Sequence, residues 1–158
     1  MAEKAATARK GAPRSGAPKN ARRRSREFAL QGLYQWQLAG AGITEIRQHL
    51  ATVAGFERAD EGYFSALLSG VINHAAGLAE VLQPHLDRKF AELSPIERSI
   101  LLMAAFELSN LPDVPYRVVI NEAVELAKSY GGTDGHKYVN GVLDKLAALA
   151  RPDEARAR

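Results

Sequence analysis

The stretch VPYRVVINEAVELAKSYGGTDGHKYVNGVLDKL, residues 114–146, decides the fold. Apolar residues recur three or four positions apart from Val119 to Tyr130, which is the spacing of one face of an α-helix. The same spacing returns from Val139 to Leu146. Gly131 and Gly132 predict the end of the first helix, because a residue just past a helix often needs positive φ. The stretch therefore predicts two amphipathic helices joined by a tight corner.

Two residues indicate where these helices begin. Pro115 opens the first one, because a first-turn residue needs no N–H donor. Asp134 is the expected N-cap of the second. Polar side chains crowd this short span, and those off the apolar faces are expected to meet solvent or a partner. They are Asn121, Glu122, Glu125, Lys128, Asp134, His136, Lys137, Tyr138 and Asn140.

The rest of the chain also predicts helices. The first ends near Gly40, and Gly32 within it indicates the close approach of another helix, since glycine otherwise weakens a helix. Thr44 is expected to cap a short helix, and a longer helix follows Asp60. Residues 94–97, Ser-Pro-Ile-Glu, form a capping box before a helix that is apolar on nearly every side, which indicates a buried central element.

We therefore predict an all-α fold of about seven helices in two packed subdomains. Residues 21–80 form an N-terminal helical bundle, residues 81–149 a C-terminal helical bundle, and residues 150–158 a frayed tail. Residues 1–20 are mostly Ala, Gly, Pro, Ser, Lys and Arg. They lack the apolar side chains that offset the entropy of ordering, so we predict a disordered basic tail.

Positive charge is concentrated at the amino-terminal end. Residues 1–26 carry nine of the 21 Lys and Arg residues and one of the 18 Asp and Glu residues, so the remainder is acidic. This asymmetry favours a polyanion that binds at one end of the molecule. A solubilising tail is the alternative interpretation.

Composition and motifs exclude several classes of site. The chain has no cysteine, which excludes disulfides and thiolate metal sites and is compatible with the reducing cytoplasm. Its longest wholly apolar run, residues 100–106, is shorter than the roughly 20 residues that cross a membrane. There is no phosphate-binding loop and no metal-binding histidine spacing. We therefore expect no enzyme, no cofactor and no metal, but a protein that acts by recognition.

Single-stranded RNA is the polyanion that the residue types favour. A cationic track binds phosphates, and an aromatic ring stacks on bases. Tyr138 is the candidate ring, with an aromatic at the edge of the core as the alternative. The candidate track is Arg22, Arg23, Arg24, Arg26 and Lys137. We expect these two groups to lie side by side and to form one continuous binding strip.

Two segments resemble the NusB family of bacterial transcription antitermination factors. NEAVELAKSYG, residues 121–131, followed by HKYVNGVLDK, residues 136–145, resembles the C-terminal signature of that family. RRRSREFALQGLYQWQLAG, residues 22–40, resembles its opening. The resemblance covers residues 21–146. It implies an all-helical fold without catalysis or cofactor.

The resemblance also implies a function and its partners. The chain would bind boxA RNA as a heterodimer with NusE, a small-subunit ribosomal protein, so that RNA polymerase reads through terminators, ribosomal RNA operons included. Some members of the family form homodimers. Two alternatives remain: an RNA-binding accessory domain like those of ribosomal RNA methyltransferases, and a purely protein-binding helical scaffold.

Specific residues follow from the resemblance. It implies that Asp134 affects the affinity for NusE and RNA, and that Tyr34 and Glu97 contact NusE. For Glu97, the role in the capping box is a competing interpretation. The implied RNA contacts are Arg22, Arg23, Arg24, Arg26, Lys137 and Tyr138.

Overall fold

The computed structural model describes residues 20–157. The predicted disordered tail therefore lies outside the described residues, except for Asn20. Over the described range the chain forms seven α-helices and no strand, which confirms the all-α prediction. The helices are α1 Ala21–Ala39, α2 Ile43–Leu50, α3 Glu61–Leu82, α4 Pro95–Asn110, α5 Tyr116–Tyr130, α6 Gly135–Ala150 and α7 Pro152–Arg156.

Helix α4 is the central element of the fold. Its residues from Ser99 to Leu108 are all buried, as the apolar sequence predicts. It packs against α1, α3, α5 and α6. The buried side chains form one continuous core that joins the two groups of helices, and the predicted division near residue 80 falls in the last turn of α3.

Two glycines set the spacing between helices. A Cβ added to Gly32 in α1 would lie 2.9 Å from side-chain atoms of Ile46 and Leu68, which confirms the predicted close approach. A Cβ added to Gly70 in α3 would lie 2.2 Å from the ring of Phe106 in α4. Both positions therefore exclude a larger side chain unless a neighbour moves.

Of the two N-caps predicted for the earlier helices, Ser94 is confirmed, because its hydroxyl accepts a hydrogen bond from the Glu97 N–H at 3.1 Å. The prediction for Thr44 is wrong, because α2 begins at Ile43 and Thr44 lies in its first turn. Gly42 occupies the N-cap position there, with no side-chain cap. The Asp60 carboxylate caps the helix that we expected to follow it and accepts a hydrogen bond from the Tyr63 N–H at 3.1 Å.

The corner between α5 and α6 differs in detail from the prediction. Pro115 precedes the first turn of α5 instead of lying in it. Gly131 has a φ of −88°, and the positive φ belongs to Asp134, at 62°. Asp is one of the few residues that tolerate this conformation. Asp134 occupies the N-cap position without a side-chain cap bond, and its carboxylate lies 3.4 Å from Lys137 Nζ.

The carboxyl-terminal segment is ordered where we expected fraying. Arg151 is buried and donates hydrogen bonds to the carbonyls of Glu107, Leu108 and Leu111, at 2.8–3.2 Å. These carbonyls lie at the end of α4, where carbonyls lack donors within the helix. Those of Glu107 and Leu111 also accept the backbone N–H groups of Leu111 and Val114, so Arg151 is an added donor at these two and the side-chain partner of the third, Leu108. Helix α7 follows directly, and Glu154 within it accepts a hydrogen bond from the Tyr116 N–H at the start of α5.

Helix α3 contains the most apolar long segment of the described chain. By length and hydropathy alone, Glu61–His85 would suffice to cross a membrane, with a mean hydropathy of 1.3. In this fold one side of α3, including Phe64, Leu67 and Leu68, is buried in the core. Of its most apolar 18-residue window, 28% is buried.

Candidate nucleic-acid interface

The predicted arginines lie at the start of α1, beside the start of α3 and of α5. Arg23 is about half exposed, with 49% of its side chain accessible. Its Nε and Nη2 donate to the two carboxylate oxygens of Glu122, at 3.0 and 2.8 Å. This hydrogen-bonded pair lowers the pKa of Glu122 and raises that of Arg23.

Arg26 has a different environment from the one we expected. Its side chain is 5% exposed and that of Glu107 is 2% exposed, and Arg26 Nη2 donates to Glu107 Oε1 at 2.6 Å. Tyr63 donates its hydroxyl hydrogen to the same oxygen. Burial would lower the pKa of Arg26, but hydrogen bonds to Glu107 and its charge outweigh burial, so the pKa is raised. Arg26 is thus buried in the core, whereas we expected it in an accessible cationic track, and its contact with RNA stays a prediction.

The other two arginines of the block remain accessible in part. Arg22 stacks on the ring of Tyr63, 4.4 Å from its centroid, and its Nε lies 3.9 Å from an Asp60 oxygen. That Nε is buried and has no hydrogen-bond partner among the described residues. Arg24 is half-buried and forms no ion pair with any described residue. The block therefore offers three accessible guanidinium groups, of which Arg24 alone lacks a carboxylate partner in the described range.

A concave cavity of about 370 Å³ opens between the start of α1 and the connection from α4 to α5. Guanidinium groups form one side of its wall, and apolar side chains and carboxylates form the other. Such a concave surface with several cations suits a phosphate-bearing ligand. The lining residues are Asn20, Arg22, Arg23, Arg26, Asp113, Val114, Pro115, Val118 and Glu122.

The second predicted cluster lies at the start of α6. Lys137 is well exposed, with 72% of its side chain accessible. Tyr138 packs partly on the core, and its hydroxyl oxygen accepts a hydrogen bond from the Asp87 N–H at 3.2 Å. Burial raises the pKa of Tyr138 above its usual value. The ring is therefore both a core-edge aromatic and a partly accessible one.

Arg88 joins this cluster, and sequence reasoning missed it. Its guanidinium lies over the Tyr138 ring, 4.9 Å from the centroid, and its Nε donates to Asp87 at 2.6 Å. The pairing raises the pKa of Arg88 and lowers that of Asp87. No sequence pattern identifies Arg88, because the ring that it covers lies 50 positions later in the chain.

The two clusters lie on different helices. Arg23 binds Glu122 in the second turn of α5, whereas Lys137 and Tyr138 lie in the first turn of α6. Glu122 precedes the end of α5 by eight residues, ~12 Å at 1.5 Å per residue. The structure therefore has two basic clusters separated along α5, and the continuous strip between them stays a prediction.

The residues expected to bind a partner lie near the second cluster. Tyr34 is 40% exposed and Tyr130 is 49% exposed. Both line a groove of about 240 Å³, mainly apolar, between α1, α5 and the start of α4. Glu97 follows Ile96, which lines the same groove, and a Cβ added to Gly135 would lie 3.3 Å from Glu97 Oε2.

Metal chemistry has no support in the described residues. They contain no group of three or more His, Cys, Asp or Glu side chains arranged to hold a metal ion.

Comparisons with known proteins agree with the fold and the family resemblance. A transcription antitermination protein NusB of Dechloromonas aromatica is 55% identical over 141 residues, covering 89% of this chain and 86% of that protein. The one of Nitrosomonas europaea is 60% identical over 136 residues, covering 86% and 81%. Among solved structures, that of T. maritima NusB matches with a TM-score of 0.70 at 28% identity, covering 87% of this chain and 97% of that one.

A second solved structure, of antitermination factors NusB and NusE in complex with double-stranded RNA, matches with a TM-score of 0.73 at 24% identity. It covers 84% of this chain and 99% of that one and supports the fold. A model of the NusB family matches residues 23–148, which include the opening motif, the central helix and the C-terminal signature. This protein therefore belongs to the NusB family.

Proposed function

We propose that this protein is a cytoplasmic transcription antitermination factor that binds boxA single-stranded RNA together with NusE, so that RNA polymerase reads through terminators, notably in ribosomal RNA operons. Its relatives carry the name transcription antitermination protein, and membership of their family confirms the expectation of a protein without catalysis. The observation that carries the proposal is the cavity at the start of α1, where guanidinium groups line a concave surface.

The arginine cavity is the proposed phosphate site. Arginine binds phosphate with two parallel hydrogen bonds, and a concave cationic surface concentrates this attraction. Arg23, which lines the cavity, and Arg24, which lies outside its lining, supply the accessible charge. The buried pair of Arg26 and Glu107 fixes the first two turns of α1 on α4 and so positions them.

The second cluster is the proposed base site. A guanidinium group is itself a planar surface on which bases stack. Since Arg88 covers one face of Tyr138, a base stacks on the outer face of Arg88 or replaces it on the ring. Lys137 supplies a phosphate contact beside this stack.

The distance between the sites sets a length for the RNA. Glu122, which binds Arg23, precedes the end of α5 by ~12 Å, and the corner to α6 follows. One strand that contacts both sites must cover this distance, and an oligonucleotide too short to do so occupies one site only.

NusE is the proposed occupant of the groove that Tyr34 and Tyr130 line. Exposed aromatic side chains beside an apolar groove are typical of a protein interface. The groove adjoins Glu97 and Asp134 on the same end of the bundle as Tyr138. NusE and RNA would therefore meet near the start of α6.

A titration of a labelled boxA oligonucleotide against a scrambled one, with and without NusE, tests the RNA proposal. The double variant Arg23→Ala, Arg24→Ala should weaken binding of both oligonucleotides and make the slope of log K against log salt shallower by about 1.4, at about 0.7 per phosphate. Arg47→Ala, Arg58→Ala removes the same charge from exposed positions of α2 and the following turn and serves as the control. Binding that does not respond to salt would favour a protein-binding scaffold instead.

The base site has its own test. Tyr138→Ala should weaken binding of an oligonucleotide long enough to reach both sites by about 1–3 kcal/mol. It should leave the affinity of an oligonucleotide confined to the arginine cavity unchanged. Equal effects on both lengths would contradict two separated sites.

The partner site is tested with purified NusE. Tyr34→Ala and Glu97→Gln should weaken its binding in isothermal titration calorimetry. Glu92→Gln, an exposed carboxylate just before α4, is the matched control. Sedimentation velocity of the same samples tests for the homodimer. Unchanged NusE affinity in both variants would refute the assignment of the groove.

A further inference from the structure

Every arginine that lines the cavity faces a carboxylate of the protein itself. Arg22 lies near Asp60, Arg26 binds Glu107, and Arg23 binds Glu122. The positive charge that the sequence concentrates here is therefore largely compensated within the fold.

Glu122 differs from the other carboxylates because it lies at the cavity wall. Its side chain is 17% exposed, and one oxygen is also 3.9 Å from Arg26 Nη1. Glu107 is 2% exposed, so a ligand does not take its place on Arg26. Among the three arginines that line the cavity, Arg23 is the one that is hydrogen-bonded to a carboxylate and also faces solvent.

The two bonds of Glu122 use the donors that a phosphate would use. Nε and Nη2 form one edge of the guanidinium fork, and that edge matches the paired oxygens of a carboxylate or a phosphate equally well. A phosphate cannot take this edge while Glu122 holds it.

We propose that Glu122 determines the affinity and selectivity of the RNA site, as an internal carboxylate that competes with RNA phosphates for Arg23. This inference rests on the proposed RNA-binding function. A strand that offers phosphate alone gains little by displacing Glu122, because it exchanges one anion for another. A strand that also stacks at the second site gains enough elsewhere to complete the exchange.

If Glu122 positions Arg23 instead of competing for it, its removal should change RNA affinity in the opposite direction. If the carboxylate instead orients Arg23 so that its free edge binds phosphate, removing the carboxylate weakens RNA binding. The direction of the change in affinity therefore separates a competitor from a positioning residue.

The test compares Glu122→Gln with Glu125→Gln by fluorescence anisotropy, using boxA and scrambled RNA at several salt concentrations. Both substitutions remove one negative charge from α5, but Glu125 pairs with Lys128 at the exposed surface. Glu122→Gln should tighten RNA binding about fivefold, the upper range for a partly exposed ion pair. It should reduce the ratio of the affinities for boxA and scrambled RNA and steepen the slope of log K against log salt by about 0.7. Glu125→Gln should stay within about twofold of the unmodified protein.

A double-mutant cycle tests whether Glu122 acts through Arg23. In an Arg23→Ala background, Glu122→Gln should have no larger effect than Glu125→Gln. Circular dichroism and urea unfolding of each variant verify that the fold is retained.

The outcomes separate this inference from the proposed function. If the unmodified protein binds RNA and Arg23→Ala weakens it, but Glu122→Gln is no tighter than Glu125→Gln, the competitor role is refuted while RNA binding stands. If Glu122→Gln is tighter to the same extent in the Arg23→Ala background, the effect does not pass through Arg23 and the inference also fails. If the unmodified protein binds no RNA, both proposals fall.

Discussion

Replacement of Arg26 by Met should remove a large part of the free energy of unfolding of this protein while leaving its direct RNA contacts in place. The side chains of Arg26 and Glu107 are 5% and 2% exposed, and three hydrogen bonds of 2.6–3.2 Å join them. Removing one member leaves an unpaired charge in the core, which costs about 3–5 kcal/mol. A domain of this size has about 5–15 kcal/mol in total.

The size of the effect makes it easy to measure. A loss of ~4 kcal/mol divided by a urea m-value of ~2 kcal/mol/M lowers the midpoint of unfolding by about 2 M. Urea titration at pH 7, followed by far-ultraviolet circular dichroism, gives this midpoint. Arg24→Met is the control, since that neighbour has no ion pair among the described residues, and it should shift stability by no more than about 0.5 kcal/mol.

A triple variant tests the physical cause. Arg26→Met and Glu107→Leu remove both buried charges, and Tyr63→Phe removes the hydroxyl that bonds to both of them. This variant should recover most of the lost stability, because apolar side chains of similar volume replace the ion pair and no buried polar group is left without a partner. The reasoning is refuted if Arg26→Met unfolds at the midpoint of the unmodified protein and instead loses RNA affinity as Arg23→Ala does. Arg26 would then be the phosphate contact that the sequence suggested.

Three further predictions concern stability. Gly70→Ala should destabilise the protein by about 1–3 kcal/mol, because the added Cβ would overlap the ring of Phe106 in α4. Gly77→Ala in the same helix, where an added Cβ meets nothing within 4 Å, should be neutral or stabilising. Equal thermal midpoints for the two variants would contradict this packing. Arg151→Met should cost about 1–3 kcal/mol, because the Leu108 carbonyl loses its donor, whereas the carbonyls of Glu107 and Leu111 keep backbone donors. Arg156→Met, at a side chain that is 75% exposed, should cost almost nothing. A urea titration compares the two variants, and similar losses would argue against the cap. The hydrogen bond from Arg23 lowers the pKa of the Glu122 carboxylate in the fold. Its stabilisation is therefore complete above the ordinary pKa of 4.5 and is lost as pH falls through the lower, folded value. In urea titrations below pH 4.5, Glu122→Gln should lose less stability than the unmodified protein, and parallel pH profiles would exclude the pair as a source of stability.

Local sequence was sufficient for the helices. The recurrence of apolar residues, the cap at Ser94 and the small residue at Gly32 each act within a few positions of the chain, so their consequences can be predicted without a fold. The corner between α5 and α6 was harder. Gly131 and Asp134 are both able to take unusual backbone angles, and the packing of the two helices decides which one does.

The carboxyl-terminal segment shows the same limit. Residues 150–158 are short and polar, which is typical of a frayed end. Arg151 nevertheless reaches the end of α4, about 40 positions earlier in the chain, and this contact orders the segment. A local sequence pattern does not predict a contact between residues so far apart in the chain.

For the site, sequence identified the family and the chemical groups, because motifs and charge are properties of the chain itself. Tertiary structure decided what those groups do. Arg23 and Arg26 lie three positions apart, yet one meets Glu122 at the surface and the other meets Glu107 in the core, 99 and 81 positions away. Charge is fixed by residue type, but the availability of that charge to a ligand depends on burial and on the nearest opposite charge, and both arise only when distant segments pack together.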